Sequence, residues 1–261
     1  MNISKSILKH VNSSSNWKCF FVLIFCSCQN IDDCFQPSGN ISQKTVLVPD
    51  FSKILINRDI QLIINSGENN NVLVETGENL ISSIEVKVVD DQLILSNSSS
   101  CNFVRDYDAV KIYVTTPTAL EEIRSSSQYD VVSTGVIHTN KLRLVSEDFW
   151  NKAYFAVGDF RININANHLS IISNQLSSFY FTGKVNTLNV QFASGDGKFD
   201  GANLEANDVH IFHRGSNDIT INPKKSLSGK ITSTGNVFCL TKPTKIDVQE
   251  LYTGRLIFIS R

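Results

Sequence analysis

Short runs of alternating apolar and polar residues return along the second half of the chain, each ending in a Ser/Gly/Asn/Asp turn. They read Leu142-Arg-Leu144-Val145-Ser146, Leu169-Ser-Ile171-Ile172-Ser173, Leu188-Asn-Val190-Gln-Phe192-Ala193-Ser-Gly195 and Val209-His-Ile211-Phe212-His213-Arg-Gly215. A period of two marks a strand with one buried face. A return at about twenty residues marks stacked coils, because one such unit cannot bury its own apolar face. Each unit holds two short strands: Leu188-Val190-Phe192 leads through a turn to Phe199, and Val209-Ile211 leads to Ile219-Thr-Ile221. The pattern places turn starts at Ser173, Ala193 and His213, and the longer step from Ser146 to Ser173 predicts an insertion or bulge from Trp150 to Asp159. Leu256-Ile-Phe-Ile-Ser260 ends the stack, and as an edge strand it needs protection from other chains.

The first half is β-patterned from Lys44 onward. Lys53-Ile-Leu-Ile56, Ile60-Gln-Leu-Ile-Ile64, Val72-Leu-Val-Glu75, Ile84-Glu-Val86-Lys-Val88, Leu93-Ile-Leu95 and Val110-Lys-Ile112-Tyr-Val114 are short strands separated by turn residues such as Gly67-Glu-Asn-Asn-Asn71 and Asp90-Asp91. The spacing predicts hairpins with one wet face, and a short helical turn near Leu80 and Ile81.

Composition sharpens this picture in two respects. Hydrophobic content of 41% with 19% charged residues belongs to a folded chain and excludes global disorder. A net charge of -1 removes the electrostatic case for nucleic acid as a partner.

The N-terminus reads as an export signal. Lys5, Lys9 and Lys18 precede the uncharged apolar run Cys19 to Cys26, which is too short for a spanning helix of about twenty residues but suits a signal-peptide core. Phe25-Cys26-Ser27-Cys28 resembles a bacterial lipobox, making Cys28 the expected lipidated residue. Acyl chains there would hold the protein at a membrane. Simple secretion and an uncleaved anchor are the alternatives. Asp32-Asp33 reads equally as an outward-sorting signal or as part of a solvated tether.

Of the six cysteines, Cys34, Cys101 and Cys239 follow the signal. Export permits disulfides, and Cys34 and Cys101 lie in polar, loop-like contexts, so a Cys34–Cys101 bridge is expected. Cys239, within Val237-Phe-Cys-Leu240, is expected as a buried thiol. The spacings match no zinc pattern.

A family resemblance is carried by Asp50-Phe-Ser-Lys-Ile54, Gly77-Glu-Asn-Leu80, Cys101-Asn-Phe-Val-Arg105, Ile112-Tyr-Val114 before Pro117, Ser125-Ser-Ser-Gln-Tyr-Asp130-Val131 and Ala193-Ser-Gly-Asp196, in that order. From about Pro49 to near the C-terminus the chain resembles the head GIN domain family, described as candidate autotransporter-adhesin heads of Bacteroidetes-type bacteria. The resemblance implies a right-handed parallel β-helix-like fold of pectin-lyase-like shape and a role in adhesion, with no agreed catalytic residues. Several turns, such as Ser146-Glu-Asp148 and Ser173-Asn-Gln175, hold other residues where the family favours Gly.

Candidate chemistry is sparse. Asp130, Asp196, Asp218 and Asn236 lie at turn-to-strand junctions. They could form a carboxylate ladder for a cation or for acid catalysis on sugar. Turn chemistry, with Asp and Asn bonding nearby backbone amides, is the favoured reading. His210 and His213 could approach each other on adjacent surfaces of a coil, but no third ligand makes a metal site. The sequence holds no Gly-x-Ser-x-Gly elbow and no phosphate loop, and no cofactor is expected. Phe149, Trp150, Tyr154, Phe155, Phe179, Tyr180 and Phe181 cluster in the middle coils. Core filling and stacked aromatic ladders account for most of them, while outward rings could stack on sugars or on a protein. Trp150, Tyr154 and Tyr180 are the binding candidates.

The expected organisation is therefore all-β: a signal peptide over 1–27, Cys28 with a flexible tether over 28–44, a β-rich layer over 45–118, and a β-solenoid over 119–261 continuous with it. The expected function is that of a non-enzymatic, lipid-anchored binding protein of the cell envelope or outer-membrane surface. It would present a rigid face to a glycan or protein ligand. A carbohydrate-active enzyme of pectin-lyase-like shape and a non-catalytic envelope scaffold are the alternatives.

Overall fold

Each alternating run becomes a strand whose apolar residues turn inward, and the turns set how those strands stack. In the computed structural model, residues 37–99, 109–146 and 156–259 are described. The first eight strands are short: β1 (Ile41–Val46), β2 (Lys53–Ile56), β3 (Ile60–Ser66), β4 (Asn71–Gly77), β5 (Ile84–Val89), β6 (Gln92–Asn97), β7 (Val110–Thr116) and β8 (Glu122–Ser125). Five long strands follow: β9 (Val131–Ser146), β10 (Phe160–Ser173), β11 (Phe179–Phe192), β12 (Phe199–His213) and β13 (Ile219–Ile231). Three short ones close the order: β14 (Val237–Cys239), β15 (Lys245–Glu250) and β16 (Leu256–Phe258). A single 3-10 turn, Ile81–Ser83, stands where the helical turn was expected. The strands form one 16-stranded, mostly parallel sheet and lie in one compact unit, Ser38–Ser99 with Tyr107–Arg261.

The long strands are where the repeat acts. Each has a first and a second arm. The first arm of β9 pairs with β3 and its second arm with β8. At the other end, β14 pairs with the first arm of β13 and β15 with its second. Between them β9 to β13 run parallel, each strand (one rung) pairing along both arms with the next, with register shifts confined to the β9–β10, β11–β12 and β12–β13 pairs. Identical inward positions therefore form columns. Leu142, Leu169, Leu188, Val209 and Leu227 make one; Phe160, Phe179, Phe199, Ile219 and Val237 make another. All are buried and belong to one core cluster. Fully burying such a side chain contributes about 1.5–3 kcal/mol.

Aromatic rings reinforce the second column. Phe160 and Phe179 stack with centroids 4.9 Å apart, Phe179 meets Phe192 at 5.8 Å, and Phe181 stacks on Phe199 at 6.0 Å. The expected aromatic ladder is thus inside the molecule.

Four features depart from the sequence reading. The turn positions in register are Ser146, Ser173, Phe192 and His213. Phe192, and not Ala193, is therefore the equivalent of Ser173; a one-residue offset reverses which face a side chain takes. Secondly, the short N-terminal strands are not a run of hairpins. The β5–β6 pair is a hairpin, with Asp90 and Asp91 both at positive φ (48° and 63°) as a type I′ turn requires. β2, by contrast, pairs in parallel with β6 and β8, and β3 with β7 and β9. Thirdly, β1 begins at Ile41, inside the stretch read as tether. Finally, no described strand covers the outer edges of β15 and β16, and Phe258 is 40% exposed there.

Candidate binding face

The outward side chains of the first arms line up across rungs as strictly as the inward ones. Arg161, Tyr180 and Asp200 form the row nearest the turn, and Asn165, Lys184, Glu205 and Asn222 form a row further along. Tyr180 is half-buried. The Arg161 guanidinium lies 4.2 Å from its ring centroid and the Lys198 ammonium 5.6 Å. Arg161 is itself held by Asp130 at 3.1 Å and Asp159 at 2.8 Å, and Lys198 pairs with Asp200 at 3.6 Å. The cations come from the neighbouring rungs. The ring that the sequence offers as a sugar platform is already engaged by this cation–π cluster.

Where the first arm bends into the second, the surface is concave. A groove of about 430 Å³ runs across the rungs and is lined by His138, Asn165, Lys184, Glu205, Lys224 and a row of asparagines. Beneath the polar lining, Ala166, Val185 and Ala206 stand in register and are buried in the core. One wall is a hydrogen-bonded ladder of side-chain amides. Asn167 donates to Asn140 at 2.7 Å, Asn186 to Asn167 at 2.7 Å, and Asn207 to Asn186 at 2.8 Å. Every bond points the same way, so the amides polarise one another. Asn167 and Asn186 each use one N–H and one lone pair of the oxygen in the ladder, keeping a second of each, while Asn140 only accepts and Asn207 only donates. The ladder stops after Asn207, where β12 and β13 shift register between Ala206 and Asp208.

Charge in the groove is partly offset, one carboxylate facing two lysines. Glu205 lies 3.4 Å from Lys184 and 3.6 Å from Lys224. The hydrogen bond and charge of Lys184, with the charge of Lys224, hold its carboxyl below the usual carboxylate range. Gly183 closes the wall between Thr182 and Lys184. Its φ of +113° and a carbonyl, that of Ile164, 2.0 Å from where a Cβ would sit leave room for glycine alone.

The turn carboxylates serve as rung-to-rung staples. Asp130 Oδ1 accepts from the Asp159 amide at 3.1 Å, Asp159 Oδ1 from the Ser178 amide at 3.0 Å, and Asp218 Oδ1 from the Asn236 amide at 2.9 Å. Asn236 Oδ1 in turn accepts from the Arg255 amide at 3.1 Å. Turn chemistry was the favoured expectation, and the structure refines it: the amide served belongs to the next rung. Asp196 accepts from the Ser216 hydroxyl at 2.7 Å.

His210 and His213 do not meet. His210 faces solvent and contacts the Ser228 hydroxyl at 3.1 Å, while His213 points into the core. Residues three apart in a strand take opposite faces. No group of three or more His, Cys, Asp or Glu converges as a metal site among the described residues. Cys239 is fully buried and donates to the Thr241 carbonyl; burial pushes its pKa up to about 11. Cys28, Cys34, Cys101, Trp150 and Tyr154 lie outside the described residues. The amide ladder escaped the sequence reading, yet it left a signal. Asn140-Lys-Leu142, Asn167-His-Leu169, Asn186-Thr-Leu188 and Asn207-Asp-Val209 each place Asn two residues before an inward aliphatic.

Residues 50–243 match the family model described as "Putative auto-transporter adhesin, head GIN domain". No curated protein matches the chain. Among solved structures, the fold is similar to a putative adhesin from Bacteroides fragilis NCTC 9343, with TM-score 0.77 and 24% identity over 86% of this chain and 99% of that one. It is also similar to a putative lipid binding protein from Parabacteroides distasonis ATCC 8503, with TM-score 0.61 and 15% identity over 85% and 98%. A putative adhesin from Parabacteroides merdae ATCC 43184 gives TM-score 0.56 and 16% identity over 86% and 98%. At these identities the likeness is one of fold.

Proposed function

The chain belongs to the head GIN domain family, and on that premise we propose that it is an exported adhesin-like protein that works by display. Its parallel rungs wind as a β-solenoid, and the outward rows of that solenoid contact a surface macromolecule. The observation that carries this reading is the in-register alignment of outward residues over successive rungs, from Asn140 through Asn167 and Asn186 to Asn207. Such a rigid array binds without paying to order itself. The adhesin descriptions of the family and of two similar structures support the same role, and they favour binding over catalysis.

The anchor belongs to the same proposal. The signal peptide over 1–27 is removed, Cys28 is acylated, and the following residues tether the domain to the cell envelope. No helix among the described residues is long and apolar enough to cross a membrane. The decisive experiment is adhesion of the purified chain to intact cells and to extracellular matrix; absence of saturable binding to any of them refutes the role. Labelled palmitate should be incorporated and lost in Cys28→Ala, and label retained by that variant refutes the anchor. Non-reducing mass mapping should find Cys34 joined to Cys101, and two free thiols there refute the bridge.

A further inference from the structure

We propose that the amide-walled groove is a binding site for an extended, uncharged glycan lying along the stack, across the rungs. The proposal rests on the adhesin-like reading above and names the ligand class and the site.

Three properties of the groove select that ligand. The first is periodicity. Neighbouring strands are about 4.8 Å apart, so Asn167, Asn186 and Asn207 offer the groove the same amide three times at one spacing. A polymer of similar units meets the same contact at every step, whereas a folded protein surface does not repeat in this way. The second is hydrogen-bonding character. Each ladder amide keeps at least one donor and one acceptor for a ligand. A sugar hydroxyl both donates and accepts, so vicinal hydroxyls satisfy both. An extended peptide would bind by adding to a strand edge, but the groove lies on a sheet face whose backbone groups are already paired rung to rung. The third is the balance of the lining. Asn165, Asn167, Asn186 and Asn207 supply neutral amides along it, and Glu205 offsets one of the two charges of Lys184 and Lys224. These three groups therefore leave a single positive charge in excess, a weak field for selecting a polyanion beside a row of neutral hydrogen-bonding groups. Its volume of about 430 Å³ is within the range of small-ligand sites, roughly 300–1,000 Å³, and it is open along the stack for a longer chain.

The test uses the full chain on an array of neutral polysaccharides (galactomannan, xyloglucan and mixed-linkage β-glucan) beside acidic ones (polygalacturonate and dextran sulfate). Binding to at least one neutral polysaccharide is expected, little changed between 50 and 300 mM salt. Asn186→Ala and the isosteric Asn186→Asp, which cannot donate to Asn167, should each weaken it at least tenfold. Ser228→Ala, on the outer face of the second arm, should leave it unchanged. Circular dichroism melts within a few degrees of the parent show that the Asn186 variants fold; if Asn186→Ala unfolds, Asn186→Asp alone decides. The proposal is overturned if no neutral polysaccharide binds, if only acidic ones bind and salt abolishes it, or if both Asn186 variants bind like the parent. A cell-adhesion arm separates the two levels. Adhesion that survives periodate oxidation of the cell surface and the Asn186 substitutions removes the glycan groove but leaves the adhesin role. Adhesion absent altogether removes the role itself.

Discussion

Phe179→Ala tests the stacking on which every later step depends. Phe179 is fully buried at the centre of the aromatic column, 4.9 Å from Phe160 and 5.8 Å from Phe192. Truncating a buried Phe to Ala costs about 3–5 kcal/mol. Each ring pair lost accounts for about 0.5–1.5 kcal/mol of that. Against a typical domain stability of about 5–15 kcal/mol, one side chain would remove roughly a fifth or more. Tyr180 is the internal control. It is the next residue of the same strand, but it is half-buried and faces out. Tyr180→Ala loses part of its packing and a cation–π contact of about 0.5–1 kcal/mol at an exposed site. Urea unfolding followed by far-UV circular dichroism should place the two variants at least about 2 kcal/mol apart. Because rungs couple mainly to their neighbours, hydrogen exchange should accelerate most in β10 to β12 of Phe179→Ala. If Tyr180→Ala proves as costly as Phe179→Ala, the inward and outward assignment is reversed. The columns and the groove would then fall together.

Further outcomes follow from single sites. Burial holds His213 below its ordinary pKa, against the opposing pull of the Asn217 backbone carbonyl and of the Asp218 charge. The unfolded chain therefore binds this proton first: stability is full above about pH 6.5 and falls as pH drops through that value toward the folded pKa. His213→Leu should flatten that part of the stability–pH curve, and an unchanged slope would contradict the assignment. The Cys239 thiol, pushed up to about 11 by burial, should resist a thiol reagent at pH 8 in the native state and react in urea; prompt native labelling at Cys239 by mass mapping would contradict its burial. Gly183→Ala forces a Cβ against the Ile164 carbonyl at a φ of +113° and should cost well over 1 kcal/mol in urea unfolding, with a neutral effect excluding the close approach.

The inward half of this fold was written plainly in the chain. Alternation identifies which side chains of Leu142–Leu144, Leu169–Ile171 and Leu188–Val190 face the core, and the strands that carry them pair in parallel. What alternation cannot fix is register. Sequence spacing makes Ala193 the equivalent of Ser173, whereas the strand register pairs Ser173 with Phe192. The N-terminal pairings were harder still. β2 lies between β6 and β8, and nothing local in Lys53-Ile-Leu-Ile56 names a parallel partner so distant in the chain. A tight turn such as Asp90-Asp91 does announce its hairpin, because that pairing is local.

The outward half demanded register before it could mean anything. In the sequence the seven clustered aromatics stand out as binding candidates, because large rings supply much contact area. Stacking rungs places a cation on the ring of Tyr180, because Arg161 is its in-register neighbour, and the surrounding carboxylates hold that cation there. A platform already covered must shed a guanidinium before it can take a sugar. Asparagine leaves little mark in a composition already rich in it. Yet once Asn140, Asn167, Asn186 and Asn207 are superposed by the rungs, each completes the next and still keeps a donor and an acceptor outward.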